Sequence, residues 1–166
     1  MDVERLTWID VAGVTAMLAD AVAGDGTPDV IVGIVRGGMV PAVLLAHHLG
    51  IRDVRALEIT HTESDAVNAA KSDLPVLRNS ASLGHVAGGN ALVVDDIAGS
   101  GETLAAARKQ VVLGGAASVR TAVCLLNLAN WPSCREAAGD GAGGEREPTY
   151  VGRQTSRWVV FPWERS

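Results

Sequence analysis

The amino-acid sequence predicts an α/β protein with an open, mostly parallel sheet flanked by helices. Short apolar runs rich in β-branched residues alternate with longer segments whose apolar residues recur at helical spacing. Two of these runs, Asp29–Val35 and Ala91–Val94, are almost wholly apolar, which is typical of strands covered on both faces in a parallel sheet. The length of 166 residues suits one domain spanning residues 1–166, and the sequence has no internal repeat.

The first half of the chain supplies two predicted helices and two predicted strands. Asp10–Ala23 carries its apolar residues near one helical face, and Asp10 is the predicted N-cap. The run Asp29–Val35 predicts a strand, and Met39–Leu49 predicts a helix that tolerates a proline in its first turn. Val54–Thr60 predicts a second strand, so the order is helix, strand, helix, strand.

The second half continues the alternation after a long polar segment. Residues 61–86 have no dependable period and are predicted to form a loop, and loops of this length are often functional. Ala91–Val94 and Ser118–Leu126 predict strands on either side of a helix at Glu102–Leu113. Residues 133–148 have the small, polar composition of a flexible surface excursion.

Composition excludes several classes of function. The formal net charge is −5 and the pI is near 5.3, so no broad basic surface is available for nucleic acid or anionic lipid. No apolar run reaches the roughly 18 residues that a membrane span needs, and the N-terminus does not resemble a signal peptide. Cys124 and Cys134 do not form a disulfide framework, so we expect reduced thiols in a cytoplasmic protein.

The strongest chemical signal lies in the segment Ala91–Leu104. A buried strand ends in Asp95 and Asp96, and a loop of small residues then leads into a helix. Small residues let backbone N–H groups approach an anion, and the helix N-terminus adds a favourable field. Carboxylates do not attract a phosphate, but they suit a sugar diol or a divalent cation beside it. The pattern predicts a phosphosugar site with Mg²⁺; a common Gly-rich turn with solvated acids is the alternative.

Three segments carry a resemblance to a known family. Val93–Leu104 resembles the ribosyl-phosphate signature of the type I phosphoribosyltransferases. Asp29–Ile51 and Arg157–Glu164 are similar to the corresponding segments of its xanthine/guanine and archaeal hypoxanthine-type branch. The resemblance implies the fold of that family, with a small hood formed by the C-terminal segment. It also implies a Mg²⁺-dependent transfer of phosphoribose from phosphoribosyl diphosphate to a purine-like base or related heterocycle, in a homodimer or homotetramer.

The resemblance also assigns roles to individual residues. Arg36, Asp95 and Asp96 would be catalytic, and Asp96 would hold the metal. Asn127, Trp158 and Val159 would bind the base, whereas Phe161 and Trp163 are expected to pack the end of the sheet. A cis peptide is expected at Val35-Arg36 or Arg36-Gly37, and residues 61–86 would include a mobile catalytic loop. The residues implied to bind phosphoribosyl diphosphate are Arg36, Gly37, Gly38, Asp95, Asp96, Ile97, Ala98, Gly99, Ser100, Gly101, Glu102 and Thr103.

Two positions depart from the family pattern and leave the acceptor open. Gly99 stands where 6-oxopurine enzymes usually carry an aspartate, and Asn127 stands where they carry a lysine. Two alternatives to transfer onto a purine therefore remain. One is a regulatory protein that binds phosphoribosyl diphosphate without turnover, and the other is an enzyme of specialised metabolism with a non-base nucleophile.

Overall fold

The computed structural model describes residues 2–62, 71–131 and 143–164, and these form twelve helices and strands. In chain order they are β1 (Val3–Arg5), α1 (Trp8–Gly24), β2 (Val30–Val35), α2 (Met39–Leu49), β3 (Val54–Thr62), β4 (Lys71–Asn79), β5 (Asn90–Ala98), α3 (Glu102–Leu113), β6 (Ser118–Asn127), α4 (Gly143–Arg146), β7 (Tyr150–Thr155) and β8 (Trp158–Val160). No helix among the described residues is long and apolar enough to cross a membrane.

Six strands form one sheet in the order β4-β3-β2-β5-β6-β7. Every neighbouring pair is parallel except β3 and β4, which are antiparallel. The predicted α/β class and its mostly parallel sheet are therefore confirmed. The register pairs Gly33 of β2 with Val94 of β5, so the two strands end side by side at the carboxyl edge of the sheet.

The helices cover the two faces of this sheet. Val11, Leu18 and Leu45 of α1 and α2 belong to one buried apolar cluster, and Leu104 and Val111 of α3 belong to the other. Successive residues of the central strands alternate between the clusters, as the two-residue period of a strand requires. This two-faced burial is the physical reason why these strands are apolar throughout.

A separate two-stranded sheet joins the ends of the chain. β1 pairs in parallel with β8, with Val3 opposite Trp158 and Arg5 opposite Val160. The C-terminal part of this hood was expected, whereas its N-terminal strand was not. Three residues are too short for an alternation pattern to be read from sequence.

The structure corrects two details of the sequence prediction. Helix α1 begins at Trp8 and is capped by Thr7, whose hydroxyl accepts from the N–H of Asp10; Asp10 is therefore the third helical residue of a capping box, not the cap. Part of the segment predicted as an irregular loop, residues 61–86, forms β4 and the end of β3. Residues 63–70 of the expected mobile loop and 133–142 of the expected excursion lie outside the described residues.

Candidate active site

The acidic pair lies at the carboxyl end of β5. Asp95 is 9% exposed, and its Oδ1 accepts from the backbone N–H of Asp96 at 3.0 Å. Asp96 Oδ1 accepts from the N–H of Ile97 at 2.8 Å. Burial, reinforced by the charge of Asp96, raises the pKa of Asp95 well above its ordinary value. Burial also raises the pKa of Asp96 to about 6, with a smaller contribution from the carboxylate of Glu164.

The small-residue loop after β5 leads directly into α3. Ile97 and Ala98 complete the strand, and Gly101 stands at the N-cap of the helix with a φ of 76°, which disfavours other residues. A Cβ at Gly101 would lie 2.5 Å from the carbonyl oxygen of Arg146, so the backbone near the end of α4 packs directly on this loop. The Ser100 hydroxyl donates to Glu102 Oε2 at 3.1 Å. The loop is thus fixed from both sides.

Thr103 and Gly99 complete the predicted phosphate loop. Thr103 is half-buried in the first turn of α3. Gly99 is half-buried, and a Cβ built on it would lie 3.4 Å from Cβ of Asn130, which is an ordinary contact distance. The position therefore has room for a side chain beyond hydrogen.

The loop after β2 meets the acidic pair. The peptide bond Val35-Arg36 is cis, as expected at this position or the next. A Cβ at Gly37 would lie only 1.7 Å from Asp96 Oδ2, and one at Gly38 would lie 2.5 Å from the carbonyl oxygen of Val94. Both glycines are therefore required by close approach between the two loops. The end of β2 and the end of β5 form one continuous site because the two strands are neighbours.

The aromatic residues of the C-terminal segment divide into two groups. Phe161 is 3% exposed and stacks on Trp163 with ring centroids 4.6 Å apart, and Trp8 lies 5.8 Å from Trp163. The prediction that Phe161 and Trp163 pack the end of the sheet is confirmed, since Phe161 belongs to the buried cluster beneath α1 and α2 and Trp163 packs against it. Trp158 is half-buried, and Val159 beside it is buried.

Asn127 ends β6 and is 7% exposed. Its Oδ1 accepts from the N–H of Ala129 at 3.0 Å, and its Nδ2 donates to the carbonyl oxygen of Arg157 at 3.3 Å. Both ends of the amide therefore contact the backbone. The predicted contact between Asn127 and a base stays a prediction.

The donor set at the acidic pair suits Mg²⁺. Asp96 Oδ2 faces the Arg36–Gly38 loop, and carboxylate oxygens are the ligands that Mg²⁺ takes from proteins. Among the described residues no group of three or more His, Cys, Asp or Glu side chains could hold a metal ion. The site therefore fits an ion that is bound by one or two carboxylates and completed by substrate phosphates and water.

Three contacts at the site were missed from the sequence. The carboxylate of Glu164 is close enough to Asp96 to raise the pKa of Asp96. The backbone of Arg146 packs on Gly101, and Glu4 accepts a hydrogen bond from Thr155 at the end of β7. A carboxylate next to a terminal aromatic run was a visible signal for Glu164. No local pattern pointed to Glu4 or Arg146, because their partners are distant in sequence.

The sheet order, the small-residue loop after the acidic pair and the hood are those of a type I phosphoribosyltransferase. The sequence model of the phosphoribosyl transferase domain matches residues 8–164, and the chain belongs to this family. It is therefore a pentosyltransferase by class, as the resemblance implied.

Individual relatives agree with this assignment. A xanthine-guanine phosphoribosyltransferase of Roseobacter denitrificans is 26% identical over 168 residues, which cover 96% of this chain and 84% of the relative. The crystal structure of a purine phosphoribosyltransferase from Pyrococcus horikoshii is 28% identical, with a TM-score of 0.77 over 100% of this chain and 97% of that one. A protein of Neisseria gonorrhoeae solved with bound ppGpp shares the fold, with a TM-score of 0.75 at 22% identity over 99% of this chain and 91% of that one.

Proposed function

We propose that this chain transfers the 5-phosphoribosyl group of phosphoribosyl diphosphate to a purine-like nucleobase or related heterocycle and releases diphosphate. The observation that carries the proposal is the contact between the Asp96 carboxylate and Gly37. It joins an acidic pair suited to ribose hydroxyls with an Arg-Gly-Gly loop suited to diphosphate. A site with both halves fits a substrate that carries free hydroxyls and a diphosphate on neighbouring carbons of one ribose ring.

The two loops have separate tasks in this reaction. Backbone N–H groups of residues 97–103 and the N-terminus of α3 hold the 5-phosphate, whereas Asp95 and Asp96 accept from the ribose hydroxyls. Arg36 and the N–H groups of Gly37 and Gly38 bind the diphosphate. Mg²⁺, held by Asp96, would neutralise charge on the departing diphosphate.

The acidic pair also favours the transition state. As the bond from C1 to diphosphate breaks, positive charge develops on the ribose ring, and two ionised carboxylates held beside it stabilise that charge. Burial of Asp95 strengthens the interaction because little water reaches its carboxylate. The same burial raises the pKa values of Asp95 and Asp96. A positive charge beside the two carboxyl groups, from Mg²⁺ or from the ribose ring in the transition state, therefore favours their ionised form.

The acceptor is assigned to the hood. Trp158 would stack on a flat heterocycle, and the backbone of Val159 would contact its edge. The names of the Roseobacter and Pyrococcus relatives support a purine. Gly99 offers no group that could take a proton from the base, so the attacking ring nitrogen must carry its lone pair without help from this residue.

The test is diphosphate release from phosphoribosyl diphosphate and Mg²⁺ across a panel of nucleobases. We expect release with at least one purine, and none with the same base after Asp95→Asn and Asp96→Asn are combined. Chelation of Mg²⁺ should also stop release. Tight binding of phosphoribosyl diphosphate without release for any base would overturn the transferase proposal and favour a binding protein. Release with a non-base amine alone would favour the other alternative.

A further inference from the structure

The backbone of Arg157, the residue before Trp158, is held by side chains at the ends of β6 and β7. The backbone N–H of Arg157 donates to Thr155 Oγ1 at 3.2 Å, and its carbonyl oxygen accepts from Asn127 Nδ2 at 3.3 Å. Both backbone groups of Arg157 are therefore fixed by side chains. The contact with Thr155 is a local turn contact two residues apart, whereas the contact with Asn127 joins segments 30 residues apart.

A second layer of contacts ties this turn to the N-terminus. The Thr155 hydroxyl donates to Glu4 Oε2 at 2.9 Å, and the N–H of Trp158 donates to the carbonyl oxygen of Asp2 at 3.1 Å. Thr155 is 8% exposed, so its hydroxyl exchanges little with water. A satisfied polar network in a buried position rigidifies the groups that it joins.

The geometry also defines what Asn127 does in this network. Its carbonyl oxygen accepts from Ala129 and its amide donates to Arg157, so the amide plane is fixed by two backbone groups on different segments. A side chain held in this way fixes the backbone of Arg157 relative to the end of β6. It is less suited to reading different acceptors, because rotating toward a ligand would break both contacts.

We propose that Glu4, Thr155 and Asn127 form a positioning network that fixes the backbone of Arg157 and so orients Trp158 toward the acceptor. The inference rests on the proposed function, in which Trp158 contacts the base. The network sets the acceptor site without touching phosphoribosyl diphosphate. Residues at both ends of the chain thus determine the Michaelis constant for the base.

The test compares two substitutions at one position. Thr155→Val keeps the shape of the side chain but removes both hydrogen bonds, whereas Thr155→Ser keeps the hydroxyl. We expect Thr155→Val to raise KM for the acceptor about tenfold, because small displacements of positioning groups are costly, and to leave KM for phosphoribosyl diphosphate within about twofold. Thr155→Ser should keep KM for the acceptor within about threefold of the wild-type value.

A matched control lies at the other end of the same strand pair. Thr121 is 1% exposed, and its Oγ1 likewise accepts from a backbone N–H, that of Thr149, at 2.9 Å. Thr121→Val should lower Tm to a similar degree and leave the acceptor KM unchanged. An equal rise in acceptor KM for Thr121→Val would show that the effect is general destabilisation and would overturn the network.

Two further variants keep the inference testable and separate it from the proposed function. If Thr155→Val does not fold, Glu4→Ala can replace it, because this half-exposed carboxylate accepts the hydrogen bond of the Thr155 hydroxyl. We expect Glu4→Ala to raise KM for the base as well, by less than Thr155→Val does. Trp158→Ala tests the base contact itself. An unchanged acceptor KM in Trp158→Ala would overturn the contact between Trp158 and the base, and the network with it, while the transfer reaction itself would stand. A raised KM there with unchanged values for Thr155→Val and Glu4→Ala would overturn the network alone. Absence of diphosphate release with every base would instead overturn the proposed function.

Discussion

Gly37→Ala tests whether the two loops of the site are packed as closely as the structure has them. The added Cβ would lie 1.7 Å from Asp96 Oδ2 and 2.4 Å from its Cγ, where an ordinary contact is 3.4 Å or more. The loop or the carboxylate must therefore move by about 1 to 2 Å, and displacements of about 1 Å in a catalytic group can cost about 100-fold in rate. We expect kcat/KM for phosphoribosyl diphosphate to fall at least about 100-fold.

Stability should fall as well, because an extra methyl group is forced into a filled space. Overpacking of this kind costs about 1 to 3 kcal/mol, which lowers Tm by several degrees for a chain of this size. The assays are steady-state diphosphate release, binding of phosphoribosyl diphosphate by calorimetry, and thermal unfolding. Gly13→Ala is the control, since nothing lies within 4 Å of a Cβ at this helical glycine. It should leave activity unchanged and raise Tm slightly.

A double variant identifies the clashing partner. In an Asp96→Ala background the carboxylate is gone, so adding Gly37→Ala should cost much less stability than it does in the wild type. Additive losses of stability, or a Gly37→Ala protein that keeps kcat/KM within about threefold of the wild type, would refute the close packing of the two loops.

Three other predictions follow from the same site. Because burial raises the pKa of Asp96 from 3.8 to about 6, the folded state binds the proton of this carboxyl group more tightly than the unfolded chain does. The stability that this proton contributes is fully present below pH 3.8 and is lost as the pH rises through about 6. The Tm of the wild type should therefore fall relative to that of Asp96→Asn between pH 4 and 7, and parallel curves would contradict it. Gly99→Asp has room for its Cβ and should raise kcat/KM for hypoxanthine or guanine over other bases, whereas an unchanged base preference would show that the missing carboxylate is not what sets it. Burial and the two aspartates raise the pKa of Cys124 to about 12, so a Cys134→Ser variant should resist alkylation at pH 8 until it unfolds, and rapid labelling of the folded protein would count against the buried thiol.

Local sequence patterns were enough to predict most of the sheet and the two strand ends that the structure brings together. The helix Met39–Leu49 begins and ends where its glycine boundaries indicated. The carboxyl ends of β2 and β5 lie side by side, at the edge where open α/β sheets bind ligands. Two elements could not be predicted in this way. Strand β1 is held by pairing with β8 at the other end of the chain, and β4 is an edge strand whose polar sequence lacks a regular period.

The two halves of the site differ in how the sequence encodes them. Each of the two loops proposed to bind the sugar phosphate and the diphosphate is contiguous in sequence. The loops also constrain each other, because the carboxylate of Asp96 leaves space only for glycine at position 37. In the proposed acceptor half, Glu4 and Thr155 lie on strands that do not pair with β2 or β5, whereas Asn127 ends β6, which pairs with β5. We therefore expect substitutions at Glu4 and Thr155 to change the position of Trp158 while the glycines and aspartates stay fixed. The departure from the family pattern at Asn127 lies on the acceptor side, whereas the departure at Gly99 lies within the small-residue loop itself, where a Cβ would meet Asn130 at an ordinary contact distance.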